Sequence, residues 1–311
     1  MVQWEAMTPK MALQLAAPHT WPASICPALL GELYCLLAGY PMHAVEGMAL
    51  LFACILMQSA VNTFNDYFDY VKGTDCAEDC VEASDAVLVY NHLNPVHALW
   101  LGIAFLGIAF LLALPTLLAA GPAALIVGAV GGAAVLCYSG GPLPLSYLPI
   151  GELVSGLVMG GLIPVGIMAA VTGEFHWEVL LAALPLVLGI ALIMMTNNTC
   201  DVEKDLDARR RTLPVLLGRS WSLRLYRFIV LLWLVFLCFL PINYLGVWGL
   251  ICPALLLLFA RRSFHFLLSS PLVQARRVAQ MKGILKANIF GNGAYLAALA
   301  AALLRGVVIH G

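Results

Sequence analysis

Charge is what this chain has least of. Of its 311 residues, 16 are Lys or Arg and 17 are Asp or Glu, 11% together, while 62% are hydrophobic and mean hydropathy is +0.93. Soluble domains carry about a quarter charged residues and are nearer half apolar, so this composition excludes an ordinary water-soluble fold. The formal net charge of −1 gives no basic footprint, and no nucleic-acid partner is expected. The nine cysteines include no CxxC pair and the seven histidines no metal-ligand spacing, so neither a zinc site nor a disulfide framework is expected. No cleavable leader is evident: Glu5, Lys10 and Pro18 precede a first apolar run that continues without a small-residue cleavage site. No low-complexity linker divides the chain, which reads as a single domain over residues 1–311.

What is present is a series of long apolar runs, each near the roughly 20 residues a bilayer-spanning helix needs. Nine are legible, at about 22–41, 43–64, 96–118, 120–138, 150–171, 177–198, 222–242, 244–260 and 284–308. Continuous runs of this length exclude a transmembrane β-barrel, whose strands alternate. The fold class expected is an all-α membrane protein, a bundle of nine transmembrane helices around a central cavity open to the cytoplasmic side and to lipid. With nine spans, 15 of the 16 cations fall on one side and Arg305 alone on the other. The positive-inside rule then places the N-terminus and the loops after spans two, four, six and eight in the cytoplasm.

The scarce acids are clustered. Eleven of the 17 lie in 66–85 or 201–207, just past the second and sixth spans. Helical spacing puts Asn62, Asn65, Asp66 and Asp69 on one face, and likewise Asn197, Asp201 and Asp205. Asn62 echoes Asn197 and Asp66 echoes Asp201, so the two halves of the chain read as related, each offering its second helix to the cavity. Two rows of hard oxygen ligands suit Mg²⁺, which keeps waters and is completed by substrate phosphates. Lys72 and Arg210 and Arg211 follow the two rows, where cations meet a phosphate. A Gly/Pro-rich segment, 138–152, joins spans four and five and offers Tyr138, Tyr147 and Glu152 to the cavity mouth. Glu32, inside the first span, is costly there unless it faces the interior.

These residues resemble the UbiA superfamily of intramembrane prenyltransferases. The first motif is similar to NDxxDxxxD at Asn65-Asp66-Tyr-Phe-Asp69, with the next acid at Asp75; the second is similar to DxxxD at Asp201-Val-Glu-Lys-Asp205. NDYFDYVKGTD, YSGGPLPLSY…GE and the segment from Asn197 to Gly218 most resemble the dihydroxynaphthoate polyprenyltransferases of menaquinone synthesis. Ala17 before Pro18-His19-Thr20 and Arg209 before the basic pair depart from the pattern. The resemblance implies Mg²⁺-dependent transfer of a polyprenyl group from polyprenyl diphosphate to an aromatic quinone precursor, through an allylic carbocation in a dry, lipid-lined cavity. It implies Asp66, Asp69, Asp201 and Asp205 as metal ligands and catalytic residues. It implies Asn62, Asn65, Lys72, Asn197, Arg210, Arg211, Tyr138 and Tyr147 as substrate-binding residues. Other acceptors open within this fold are hydroxybenzoate, homogentisate, a porphyrin or glycerol phosphate. An ion-coupled transporter is the alternative from another class; its site is expected near the bilayer midplane, whereas both acid rows here lie at helix ends.

Overall fold

The computed structural model of the protein describes residues 4–73 and 87–309, and among them the only β-bridge is an isolated one between Glu5 and Leu93. Asp75, Glu82 and the loop cysteines Cys76 and Cys80 lie outside the described residues. The helices in chain order are α1 (Pro9–Ala16), α2 (Pro22–Leu37), α3 (Ala44–Val71), α4 (Val87–Asn91), α5 (Pro95–Ala120), α6 (Pro122–Ser139) and α7 (Gly151–Thr172). They continue with α8 (Val179–Cys200), α9 (Val202–Asp207), α10 (Leu213–Leu217), α11 (Arg219–Leu245), α12 (251–269) and α13 (Arg277–Leu304). Local chemistry sets several boundaries. Thr8 and Asn94 cap α1 and α5 by accepting from the amides of Met11 and Val96, and Pro occupies the first turn of each, where its missing N–H costs nothing.

Among the described residues, seven segments are long and apolar enough to cross a membrane. One is the 51-residue stretch Arg219–Ser269, which is α11 and α12 together; α2 is apolar but shorter. Gly246 breaks that stretch with φ +56°, a left-handed conformation that costs a side-chain-bearing residue and not glycine. The following 246–250 segment is a 3₁₀ corner, so α12 begins at residue 251 and not at 244 as the apolar run implied. It also runs on past Ala260 through Arg261 and Arg262. Those two side chains stay exposed while Phe264 and Leu267 are buried in the core, so cationic residues at a helix end do not stop the helix. For the same reason α13 starts at Arg277, seven residues before its apolar run.

Packing follows membrane rules. Gly156 and Gly160 of α7 lie against α8, and a Cβ on Gly160 would come within 2.5 Å of the Val187 backbone. Small residues four apart allow such close approach, where dispersion rather than hydrophobic exclusion holds helices together. This stretch of α7, 156–162, is π-helical, which widens the turn facing α8. Polar ties add specificity: Tyr295 Oη donates to the Ala182 carbonyl at 3.0 Å and Asn288 Nδ2 to the Gly189 carbonyl at 3.0 Å, binding α13 to α8. Trp233 of α11 is fully buried against the same core. Outward faces carry Trp100, Leu111 and Leu118 of α5 and Leu257, Leu258 and Phe259 of α12, a surface suited to acyl chains.

We expect Gly160→Ala to destabilise the fold by about 2 kcal/mol or more, because backbone and not a flexible side chain blocks the new methyl. Gly107→Ala, with open space around it, stays within about 0.5 kcal/mol of the parent. Thermal unfolding in detergent compares the two; equal effects would refute the close-contact account.

Candidate active site

A cavity of about 970 Å³ is enclosed by α3, α5, α6, α7, α8 and α13 together with the N-terminal segment. Along α3 it runs from Asp69 to Leu50, a distance of about 28 Å at 1.5 Å per residue. One end is polar, with Asn62, Asn65, Asp66 and Asp69 from α3, Asn197, Asn198 and Asp201 from the end of α8, Tyr138, Arg210 and Arg277. The rest is apolar: Leu50, Met57, Val127, Val158, Ile163 and Met194 are typical of its wall.

The α3 row forms as its spacing implied, because α3 continues to Val71 without a break. Asn62 Nδ2 donates to the Ala16 carbonyl at 3.0 Å and to Thr20 Oγ1 at 2.9 Å, which fastens the N-terminal segment over the cavity. Asp66 is buried and accepts from the Val87 amide at 2.8 Å and the Leu88 amide at 3.4 Å, at the positive N-terminus of α4. Asn65 donates to Asp69 Oδ2 at 3.1 Å and accepts from Ser139 Oγ at 2.8 Å. Asp69 Oδ1 accepts from Arg210.

The second row reaches the cavity in part: Asn197 and Asp201 line it and Asp205 does not, although the amides of Asp201 and Asp205 still donate to the Asn197 and Asp201 carbonyls at 3.1 and 2.8 Å. Helix α8 stops at Cys200, Asp201 leaves helical geometry with φ −100° and ψ 19°, and α9 sets off from Val202. Asp201 stays in the cavity, accepting from Arg277 Nε at 2.9 Å, while its Oδ1 is buried without a partner. Asp205 is turned behind the wall, with Oδ2 accepting from Thr212 Oγ1 at 3.1 Å and Oδ1 3.7 Å from Arg210. Burial pushes the Asp205 carboxyl up to about 6, with Arg210 opposing and Asp201 reinforcing the rise. Burial disfavours the charge of Arg210, but Asp69, Tyr147 and Asp205 outweigh it and hold the guanidinium above its ordinary range.

Arg210 is the centre of the cation group. Its guanidinium lies 4.3 Å from the Tyr147 ring centroid, and Lys72 Nζ lies 4.7 Å from the same ring. Lys72 also donates to the Ser139 carbonyl at 3.2 Å. Lys72 and Tyr147 thus back Arg210 without lining the cavity. Arg211 is not brought in: its side chain is exposed, and its backbone amide donates to the Tyr147 carbonyl at 3.0 Å, pinning the 138–152 connection. Glu32 lies beside Gly47 at the opposite end of α3 and does not line the cavity.

Sequence reasoning missed Arg277, which joins Asp201 and Asn197 across 76 and 80 residues. It also missed Asn198. Arg277 sits in a basic stretch that the positive-inside rule explains by itself, so no local signal marked it.

The donor set fits a hard divalent cation: Asp66, Asp69 and Asp201 bring carboxylate oxygens to one cavity, and Asp201 Oδ1 is unpartnered. No group of three His, Cys, Asp or Glu side chains close enough to share an ion occurs among the described residues. Each carboxylate is instead drawn to its own arginine or amides.

Residues 24–289 match the model of the UbiA prenyltransferase family. The chain belongs to that family. It is 33% identical over 212 residues to 1,4-dihydroxy-2-naphthoate octaprenyltransferase of Bacillus subtilis (strain 168), covering 68% of this chain and 67% of that protein. It is 30% identical over 231 residues to human UbiA prenyltransferase domain-containing protein 1, covering 71% and 64%. The matches thus span about two thirds of these relatives' length. Among solved structures, a UbiA homolog from Archaeoglobus fulgidus bound to GPP and Mg²⁺ superposes with a TM-score of 0.65 at 16% identity, covering 94% of this chain and 99% of that one. An apo UbiA homolog from Aeropyrum pernix K1 gives 0.64 at 18% identity, covering 98% and 100%. As a UbiA member with seven apolar helices, the protein is a multi-pass membrane prenyltransferase, which sets aside the transporter alternative.

Arg210→Ala removes the guanidinium from the buried Asp69 carboxylate, which keeps the Asn65 amide as a donor, and we expect a loss of about 3 kcal/mol. Asp69→Asn in that background removes the stranded charge and recovers part of the loss. Urea or thermal titration in detergent measures both, and a double variant no better than Arg210→Ala would contradict the pairing.

Proposed function

We propose that the protein transfers a polyprenyl group from a polyprenyl diphosphate to an aromatic quinone precursor, dihydroxynaphthoate first among acceptors, with Mg²⁺ as cofactor. The observation that carries this reading is the cavity itself: one end of carboxylates and arginines opening into a long apolar wall between helices. A ligand with an anionic head and a hydrocarbon tail matches that division. The relative whose name states the naphthoate acceptor is the 33% identical Bacillus protein, and solved relatives bind GPP or DMAPP with Mg²⁺.

Asp66, Asp69 and Asp201 would hold Mg²⁺, whose chemistry when bound is to neutralise charge on the leaving diphosphate. Arg210 and Arg277 sit within the same head and offer forked donors to phosphate oxygens. Asn62 and Asn65 keep α3 aligned, Tyr147 and Lys72 hold Arg210, and Asp205 orients Arg210 and Thr212 instead of ligating. Tyr138 closes the wall beside the head. Beyond it the apolar wall excludes water, which would otherwise capture an allylic cation ahead of the aromatic ring.

The topology that goes with this function counts α2 as a span and divides Arg219–Ser269 at Gly246, giving nine. The N-terminus and the polar end of the cavity then face the cytoplasm, as the cation distribution directs.

Purified protein in lipid is expected to release diphosphate from polyprenyl diphosphate plus dihydroxynaphthoate, and EDTA to abolish it. Asp66→Ala and Asp201→Ala are expected to lower kcat by about a hundredfold or more. Full turnover in either variant would end the metal assignment. Running one labelled donor against hydroxybenzoate, homogentisate, a porphyrin and glycerol phosphate separates the acceptors.

A further inference from the structure

Three polar groups from three helices meet beside the head of the cavity and take no part in the carboxylate–arginine pairs. Glu152, in the first turn of α7, is 4% exposed. Its Oε1 accepts from Asn198 Nδ2 at 2.8 Å, and its Oε2 has no partner. Asn198, near the end of α8, is 6% exposed and lines the cavity. Tyr138, at the end of α6, also lines it, with an enclosed and unpartnered hydroxyl. A buried carboxylate with one oxygen left without a partner is costly.

The chemistry of the pair fixes its direction. A carboxylate only accepts hydrogen bonds, so Asn198 must turn its Nδ2 toward Glu152. That leaves Asn198 Oδ1, an acceptor, for other company, and its one described partner is Asn197 Nδ2 at a long 3.4 Å. A diphosphate ionised at neutral pH offers no donor, and neither does an isoprenoid tail. The ring hydroxyl of an aromatic acceptor does.

We propose that Glu152 is a positioning residue that locks Asn198 so that its Oδ1 accepts a hydrogen bond from a ring hydroxyl of the aromatic acceptor, selecting hydroxylated rings. This rests on the prenyl-transfer reading above. A hydroxyl that donates to Oδ1 holds more electron density on its oxygen and ring, which favours attack by the ring carbon. The allylic C–O bond breaks first, its electron pair leaving with diphosphate. A ring π pair then forms the C–C bond to the allylic cation, and the attacked carbon restores aromaticity by releasing its own substituent, a proton to water or, where it bears a carboxylate, CO₂.

The test is Glu152→Gln, equal in size and free to present either amide end, which releases the lock. The KM for dihydroxynaphthoate is expected to rise about tenfold, the value of one good hydrogen bond, with the KM for polyprenyl diphosphate unchanged. The wild type is also expected to discriminate against an O-methylated acceptor, and Glu152→Gln to lose that discrimination. In an Asn198→Leu background Glu152→Gln should add nothing. If Glu152→Gln does not accumulate in membranes, Asn198→Leu alone reads the same selectivity. An unchanged acceptor KM, equal rises in both KM values, or additive effects would each overturn the assignment while leaving prenyl transfer intact. A wild-type protein that prenylates no aromatic acceptor overturns both.

Discussion

The ion pair between Arg210 and Asp69 is the interaction on which the polar end of the cavity depends. It joins the end of α3 to a loop 141 residues later in the chain, and both partners are largely buried. Around it, Tyr147 and Lys72 stack, Asp205 approaches from behind, and the 138–152 connection is pinned through the Arg211 amide. Carboxylates at a hydrocarbon boundary are tolerable only with such compensation, since water is scarce and the local dielectric is low. Arg277 does the same for Asp201 from the other flank. The head of the cavity is therefore a set of pre-paired charges and not a ready-made cage of oxygens.

That arrangement explains the absence of a three-ligand group among the described residues, despite two acid motifs. Mutual repulsion keeps unshielded carboxylates apart, and guanidinium groups settle between them. A ligand bringing both phosphate and a divalent cation offers each partner a replacement: metal for the carboxylates, phosphate oxygens for the arginines.

Much of this was legible in the sequence because hydropathy and helical period report directly on backbone. The positions of α3, α5, α6, α7 and α8 follow their apolar runs closely, and the α3 row of Asn62, Asn65, Asp66 and Asp69 stands as its spacing implied. Asn197 and Asp201 of the second row line the cavity, while Asp205 is buried outside its lining against Thr212 and near Arg210, and spacing along one helix does not report such contacts. The register of α12 was hidden for a related reason: an apolar run does not say where inside it a 3₁₀ corner falls. Arg277 was illegible because its role is a contact across 76 residues, and a single sequence records composition far better than long-range partners.

Arg210 and Arg277 carry one more implication. Membrane insertion reads cations near helix ends as a statement of which side stays in the cytoplasm. These same two residues are the counter-charges inside the cavity. In the cytoplasmic orientation proposed above, each of these positive charges serves twice, once as a topological signal and once as the partner of the carboxylate it faces. On that proposal, a neutral residue in place of either arginine removes a topological charge and a carboxylate's counter-charge in one change.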